Sequence, residues 1–192
     1  MRKNTKEKIL LSALELIDKK PYPQVSTREI AKAVGISEGA IFKHYKNKDA
    51  ILDELCEQFL NIATDIDLSS IENELNFKKA LIHFFSSLQK TKTQIYKLAL
   101  YVSMYKPKQF KIFHKIIKDK VYKQIEETID INKDNWSYKK DLNTKLHVRL
   151  LMYSIYFFTI QQEVFGADKI EKFDMKSVIT VSVDNFIHGL KI

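Results

Sequence analysis

Between Ser26 and Lys48 the chain reads STREIAKAVGISEGAIFKHYKNK, and this order of residues leaves little freedom in how it folds. Ile30, Ala31 and Val34 fall on one helical face, and Ser26 stands in front of them with an oxygen able to cap free amides. Gly35 follows where a chain leaving a helix commonly takes a positive φ, and Ser37 offers a fresh N-cap. The spacing therefore predicts two short helices separated by a turn of a few residues. Ile36 and Ile41 are expected in their crossing, with Glu38, Gly39, Ala40, Phe42, Lys43 and His44 outside it. That is the layout of a helix-turn-helix, whose second helix enters the DNA major groove by its N-terminal end.

The run from Ile30 to Leu55, IAKAVGISEGAIFKHYKNKDAILDEL, resembles the DNA-binding region of the TetR family of transcriptional regulators. The family pattern is an Ile-Ala pair, a Gly turn, a recognition helix ending aromatic-x-His-aromatic, then Lys and a Leu-containing fourth helix. Here Phe42, His44, Tyr45, Lys48 and Leu52 take those places. Pro21-Tyr22-Pro23 departs from the Gly-containing loop common in the family. The resemblance implies DNA contacts from Ser26, Thr27, Arg28, Ser37, Glu38, Gly39, Ala40, Phe42, Lys43, His44, Tyr45 and Lys48. Arg28 is of the type that bonds guanine through two donors, Lys43 and Lys48 are expected on phosphates, and small Gly39 and Ala40 permit close approach to a thymine methyl. Glu38 either accepts from cytosine or caps its own helix, and Tyr45 either packs in the core or reaches a phosphate.

With only four Gly and three Pro in 192 residues and no alternating runs flanked by hairpin turns, an all-α fold is expected. Pro21 and Pro23 end a first helix over Thr5–Lys19, and a long helix is expected over Asp49–Ile66, leaving Asp67–Asn76 as a connection. Apolar spacing then marks helices through Phe77–Leu88, Ile95–Val102 and, after Pro107, Phe110–Ile125. Leu142–Phe165 is apolar around most of its circumference. Ile179, Val181 and Val183 alternate as in a strand, while Ile179, Val183, Phe186 and Leu190 fit a helix, which is preferred for want of a partner strand. The expected division is a helix-turn-helix domain over residues 1–48 and a larger helical effector-binding and dimerisation domain over 49–192. The resemblance implies about nine helices, the last two pairing with their copies in a homodimer.

Residues 1–50 hold eleven Lys or Arg against six Asp or Glu, and residues 51–192 hold twenty-one against eighteen. The basic excess is densest around the helix-turn-helix, which suits a phosphate-tracking surface and equally a Lys-rich solvated one. Cys56 is the only cysteine, so no internal disulfide forms and a reducing compartment fits. The first residues carry no secretory signal and the longest apolar run, Leu150–Ile160, is too short to span a bilayer, so a cytoplasmic location away from the membrane is expected. The five histidines are scattered, with no metal-ligand spacing, nucleophile elbow or phosphate loop. No catalytic role, metal or cofactor is expected.

Aromatic residues crowd the last two thirds, where core packing competes with a ligand box. Tyr101, Phe113, His147, Tyr153, Phe157 and Gln161 are the candidate effector-binding residues, with Arg149 and Gln162 as further polar anchors. The expected function is a transcriptional regulator that binds a palindromic operator in double-stranded DNA as a homodimer and is released by a small apolar or aromatic effector. The alternative is an architectural DNA-binding or protein-interaction module without an effector.

Overall fold

The computed structural model describes residues 4–90 and 93–192. Among the described residues ten α-helices follow in order: α1 Thr5–Lys19, α2 Thr27–Val34, α3 Glu38–Phe42, α4 Lys48–Ala63, α5 Glu74–Leu88, α6 Thr93–Tyr105, α7 Pro107–Ile117, α8 Lys123–Asn132, α9 Thr144–Glu163 and α10 Met175–Leu190. A π-helical turn over Lys118–Tyr122 joins α7 to α8 without a break, so these ten make nine continuous rods. The fold is all-α. Extended pairing among the described residues is limited to one isolated antiparallel bridge between Tyr138 and Lys191.

Two expected boundaries move. The helix predicted to reach Ile66 stops at Ala63, before the polar run Thr64, Asp65 and Asp67, and α5 opens at Glu74 because the Asn73 side chain accepts from the Asn76 amide at 2.9 Å. The segment over Ile179–Val183 is helical: Ile179, Val183, Phe186, Ile187 and Leu190 are buried while Val181 is 56% exposed. A strand would have turned Val181 to the same side as its two neighbours.

Packing divides the chain into two compact units. The first comprises the described residues of Met1–Asn61 and Lys92–Ile112. In it Ile9, Leu10, Ala13, Leu14 and Ile17 form the buried stripe of α1, which packs on α2 and on α6. Ile30, Ala31, Ile41, Ile51, Leu52, Leu55 and Cys56 complete the centre, with Tyr96, Leu98 and Val102 of α6 also buried. Gln94 and Lys97 both bond Asp18 at the end of α1, and Lys106 bonds Asp49 at 2.9 Å. Thus α6, far from the helix-turn-helix in sequence, is part of its unit.

The second unit comprises the described residues of Ile62–Thr91 and Phe113–Ile192. Phe77, Leu81, Phe84 and Phe85 of α5 meet Ile125 and Ile129 of α8, Val148, Leu151 and Ile155 of α9, and Val183 and Leu190 of α10 in one core. Arg149 and Glu126 form a largely buried ion pair at 2.6 Å, and the Arg149 guanidinium lies 3.8 Å from the centre of the Tyr122 ring.

Candidate nucleic-acid interface

The reading head is fixed by local hydrogen bonds. Ser26 Oγ accepts from the Glu29 amide while Glu29 Oε2 accepts from the Ser26 amide, a reciprocal capping box at the start of α2. Lys20 Nζ lies 2.6 Å from the same carboxylate, and these bonds, Lys20 first and Ser26 next, pull the Glu29 carboxyl down to about 2. Gly35 adopts φ 78°, a left-handed conformation costly for residues with a Cβ, and both its amide and that of Ile36 return to the Ala31 carbonyl at 3.0 Å. Ser37 Oγ then accepts from the Ala40 amide to open α3, and Thr27 Oγ1 donates to Glu38 Oε1 at 2.5 Å, tying the first residues of the two helices together.

What this leaves outward is compact. Arg28, Ser37, Glu38, Gly39, Phe42, Lys43 and His44 are exposed, Thr27 and Ala40 half-buried, and Ile30, Ala31 and Ile41 buried beneath them. Phe42 is 49% exposed although it is a large apolar residue. A Cβ added at Gly39 would meet only Ser37 Oγ at 3.9 Å, so the fold itself has room for a side chain there.

Two of the residues expected at DNA are engaged within the head itself. Tyr45 is 4% exposed, its ring packed in the head with the Lys6 ammonium 5.4 Å from its centre, so it supports the face without belonging to it. Lys48 points inward: its Nζ donates to the carbonyls of Tyr22 at 3.0 Å, Pro23 at 3.0 Å and Val25 at 2.7 Å. An ammonium has three donors, and all three are engaged. Tyr22 answers by donating its hydroxyl to the Lys48 carbonyl at 2.7 Å, and the ammonium sits 4.8 Å from the Tyr22 ring centre. Lys48 thus clamps the start of α4 to the Pro-Tyr-Pro loop. The unusual loop was visible in the sequence, but the partner of its carbonyls, 23 to 26 residues further on, was not.

Residues 9–55 match the family model of the bacterial regulatory proteins of the tetR family. That stretch is a DNA-binding region of the TetR family. It is 32% identical over 93 residues to the tetracycline repressor protein class C of Escherichia coli, a match spanning 44% of this chain and 42% of that protein. The chain therefore spans less than half the length of that relative. Over its whole length the fold is similar to the ketosteroid transcriptional regulator KstR2 of Mycobacterium tuberculosis, with TM-score 0.74, 16% identity and coverage of 100% of this chain and 97% of that one. It is likewise similar to the TetR-family regulator PfmR of Thermus thermophilus, with TM-score 0.71, 19% identity and coverage of 96% and 99%.

The six candidate effector-binding residues are divided between the two units. Tyr101 belongs to the first unit, its ring 5.9 Å from Tyr22 and 5.6 Å from Tyr105. The other five belong to the second unit. Phe113 and Gln161 are half-buried, and His147 Nδ1 lies 2.9 Å from the Asn143 carbonyl of its own helix. Tyr153 and Phe157 are 48% and 57% exposed, one turn apart on α9. Of the further anchors, Arg149 is held by Glu126, and Gln162 binds the Glu171 carbonyl and the Phe173 amide, pinning the loop before α10. An open cleft of about 510 Å³ in the second unit is lined by Asn73, Glu74, Leu75, Asn135, Trp136, Ser137 and Lys191, none of which was a candidate.

Cys56 is buried, and burial, with Asp53 and Glu57 adding to it, pushes its thiol up to about 12. Among the described residues no group of three or more His, Cys, Asp or Glu is placed to hold a metal ion, and no helix is long and apolar enough to cross a membrane.

Proposed function

We propose that this TetR-family chain is a DNA-binding transcriptional regulator that acts as a repressor, binding a palindromic operator as a homodimer and leaving it when a small effector binds. The observation that carries the reading is the outward face of α2 and α3. Ser26, Ser37, Gly35 and the Thr27–Glu38 bond hold it rigid from behind, while Arg28, Gly39, Phe42, Lys43 and His44 remain exposed. A glycine inside a helix costs roughly 0.5–1 kcal/mol, and here the fold does not need it, which is consistent with close approach of a groove. The functional division proposed is a reading head over residues 1–48 followed by effector-binding and dimerisation elements over 49–192.

The dimer is supported by apolar surface that the single chain leaves uncovered. Leu146, Leu150, Tyr153 and Phe157 recur at helical spacing along α9 with exposures of 52%, 59%, 48% and 57%, and Val181 of α10 is 56% exposed. A twofold pair presents two recognition helices to half-sites about 34–36 Å apart, as a palindrome requires. The recognition helix reaches α4 after only the five residues Lys43–Asn47. A change in α4 is therefore passed to the head through a short tether, and an effector lowers operator affinity by its differential affinity for the two states. The relatives named for tetracycline and for ketosteroid support a flat, largely apolar effector.

Selection of bound duplexes from a random pool tests the reading. The expected product is an inverted repeat bound with strong salt dependence, and Arg28→Ala should lower affinity for it by roughly 1–3 kcal/mol with little loss on random DNA. Enrichment of no sequence from the pool would refute it. Effectors are then sought among polycyclic and acyl compounds that both raise the Tm and release the operator.

A further inference from the structure

Charge is distributed between the two units very unequally. In sequence, the segments Met1–Asn61 and Lys92–Ile112 from which the first unit is drawn hold sixteen Lys or Arg against nine Asp or Glu, and the rest of the chain sixteen against fifteen, so these two segments carry +7 of the chain's +8. The helix-turn-helix sequence does not account for this by itself, because Met1–Asn61 has eleven basic residues against nine acidic ones, a net of +2. The remaining +5 comes from Lys92–Ile112, which contributes Lys92, Lys97, Lys106, Lys108 and Lys111 and no carboxylate. This segment lies within a run from Leu75 to Lys118 that contains ten lysines and neither Asp nor Glu.

The fold brings the end of this segment to the head. Lys106 bonds Asp49 in the first turn of α4, one residue beyond the Lys48 clamp, and Tyr101 lies against Tyr22 of the clamped loop. Phe110 donates its amide to the Lys106 carbonyl at 2.9 Å, so α7 rises directly from the residue anchored on α4. Lys108 and Lys111 are three apart on its opening turns and share a face. Both are exposed, and neither takes part in an ion pair among the described residues. Lys97 and Lys106, by contrast, are held by Asp18 and Asp49. Two ammonium groups without an ion-pair partner thus stand on the helix that rises from the α4 anchor, in the same unit as the reading head.

Resting on the proposed DNA-binding function, we infer that Lys108 and Lys111 form a second contact surface for the duplex, binding backbone phosphates outside the segment read by α2 and α3. Phosphate contacts position a protein without reading sequence, so this surface adds affinity and salt dependence to specific and non-specific complexes alike. Each lost contact makes the slope of log affinity against log salt shallower by about 0.9.

The test compares the full-length protein with Lys108→Gln/Lys111→Gln and with the charge-matched control Lys140→Gln/Lys172→Gln, whose residues are exposed in the other unit. The probe is a long mixed-sequence duplex titrated over a range of salt concentrations. The expected result is a slope shallower by about 1.8 per protomer for the first pair, with an affinity loss that shrinks as salt rises. All proteins should share one Tm, since the substituted side chains are exposed and without ion-pair partners. An unchanged slope and affinity for the first pair overturns the inference and leaves the helix-turn-helix reading standing. An equal loss in the control also overturns it, because net charge alone would then be responsible. Absence of salt-dependent duplex binding by the unmodified protein sinks the proposed function and this inference with it.

Discussion

Removing the Lys48 ammonium separates a structural role from a DNA-contacting one. Lys48→Met keeps most of the aliphatic stem against the Tyr22 ring and deletes three hydrogen bonds to the carbonyls of Tyr22, Pro23 and Val25. The bond to Pro23 is exposed, and water replaces it at little cost, whereas those to Tyr22 and Val25 are part-buried. A hydrogen bond to a charged group is worth about 1.5–3 kcal/mol, and the relief of lysine desolvation offsets part of the loss of two, leaving roughly 3 kcal/mol. For a chain of this size that is a fall in Tm of about 6–12 °C. Tyr22→Phe, which removes only the hydroxyl bond to the Lys48 carbonyl, should cost about 1 kcal/mol. Thermal denaturation by circular dichroism reads both, and duplex binding below the variant's Tm should keep the salt slope of the unmodified protein. An unchanged Tm together with a slope shallower by about 0.9 per protomer would refute the clamp and return Lys48 to the phosphate contacts.

Leu150→Lys should convert the proposed dimer to a folded monomer of about 23 kDa by light scattering, because Leu150 is 59% exposed, whereas Phe186→Lys should unfold the second unit, because Phe186 lies in its core. Cys56 should resist thiol reagents at pH 8 until denaturant is added, since it is buried and burial pushes its thiol up to about 12, and rapid native labelling would show that α4 opens locally. The Glu29 carboxyl is depressed to about 2, so the stability it contributes is complete above its ordinary value near 4.5 and is lost as pH falls toward 2. An NMR titration of that carboxyl should show no inflection between pH 6 and 4, and an ordinary midpoint would mean that the capping box and Lys20 do not hold it.

Local elements were largely legible because they follow from neighbours in sequence. Ser26, Gly35 and Ser37 state where α2 begins and ends and where α3 opens, and the structure uses each of them as the spacing predicts, while the Glu29 half of the capping box is seen only in the structure. For α10, where the apolar spacing fitted helix and strand alike, the want of a partner strand pointed to helix, and the structure is helical there. Periodicity does not say which of two similar residues turns inward. Lys43 and Lys48 look alike in the sequence, yet one is exposed on the reading face and the other is consumed by carbonyls more than twenty residues away.

The same distinction separates the two candidate sites. A reading head is built from nearly consecutive residues whose outward face is set by local helical phase, so the exposure of Arg28, Phe42, Lys43 and His44 follows from neighbours in sequence. An effector site is assembled from helices distant along the chain, and the aromatic residues alone could not say that Tyr101 joins the head's unit while Tyr153 and Phe157 lie on the outer side of α9. The sequence by itself determined the helical class, the capped turn between α2 and α3, and the family of the DNA-binding region. Only the tertiary structure decided that α6 and the lysines following it belong to the DNA-binding unit, because that placement depends on Gln94 and Lys97 meeting Asp18 and on Lys106 meeting Asp49, pairs separated by 57 to 79 residues that no local pattern encodes.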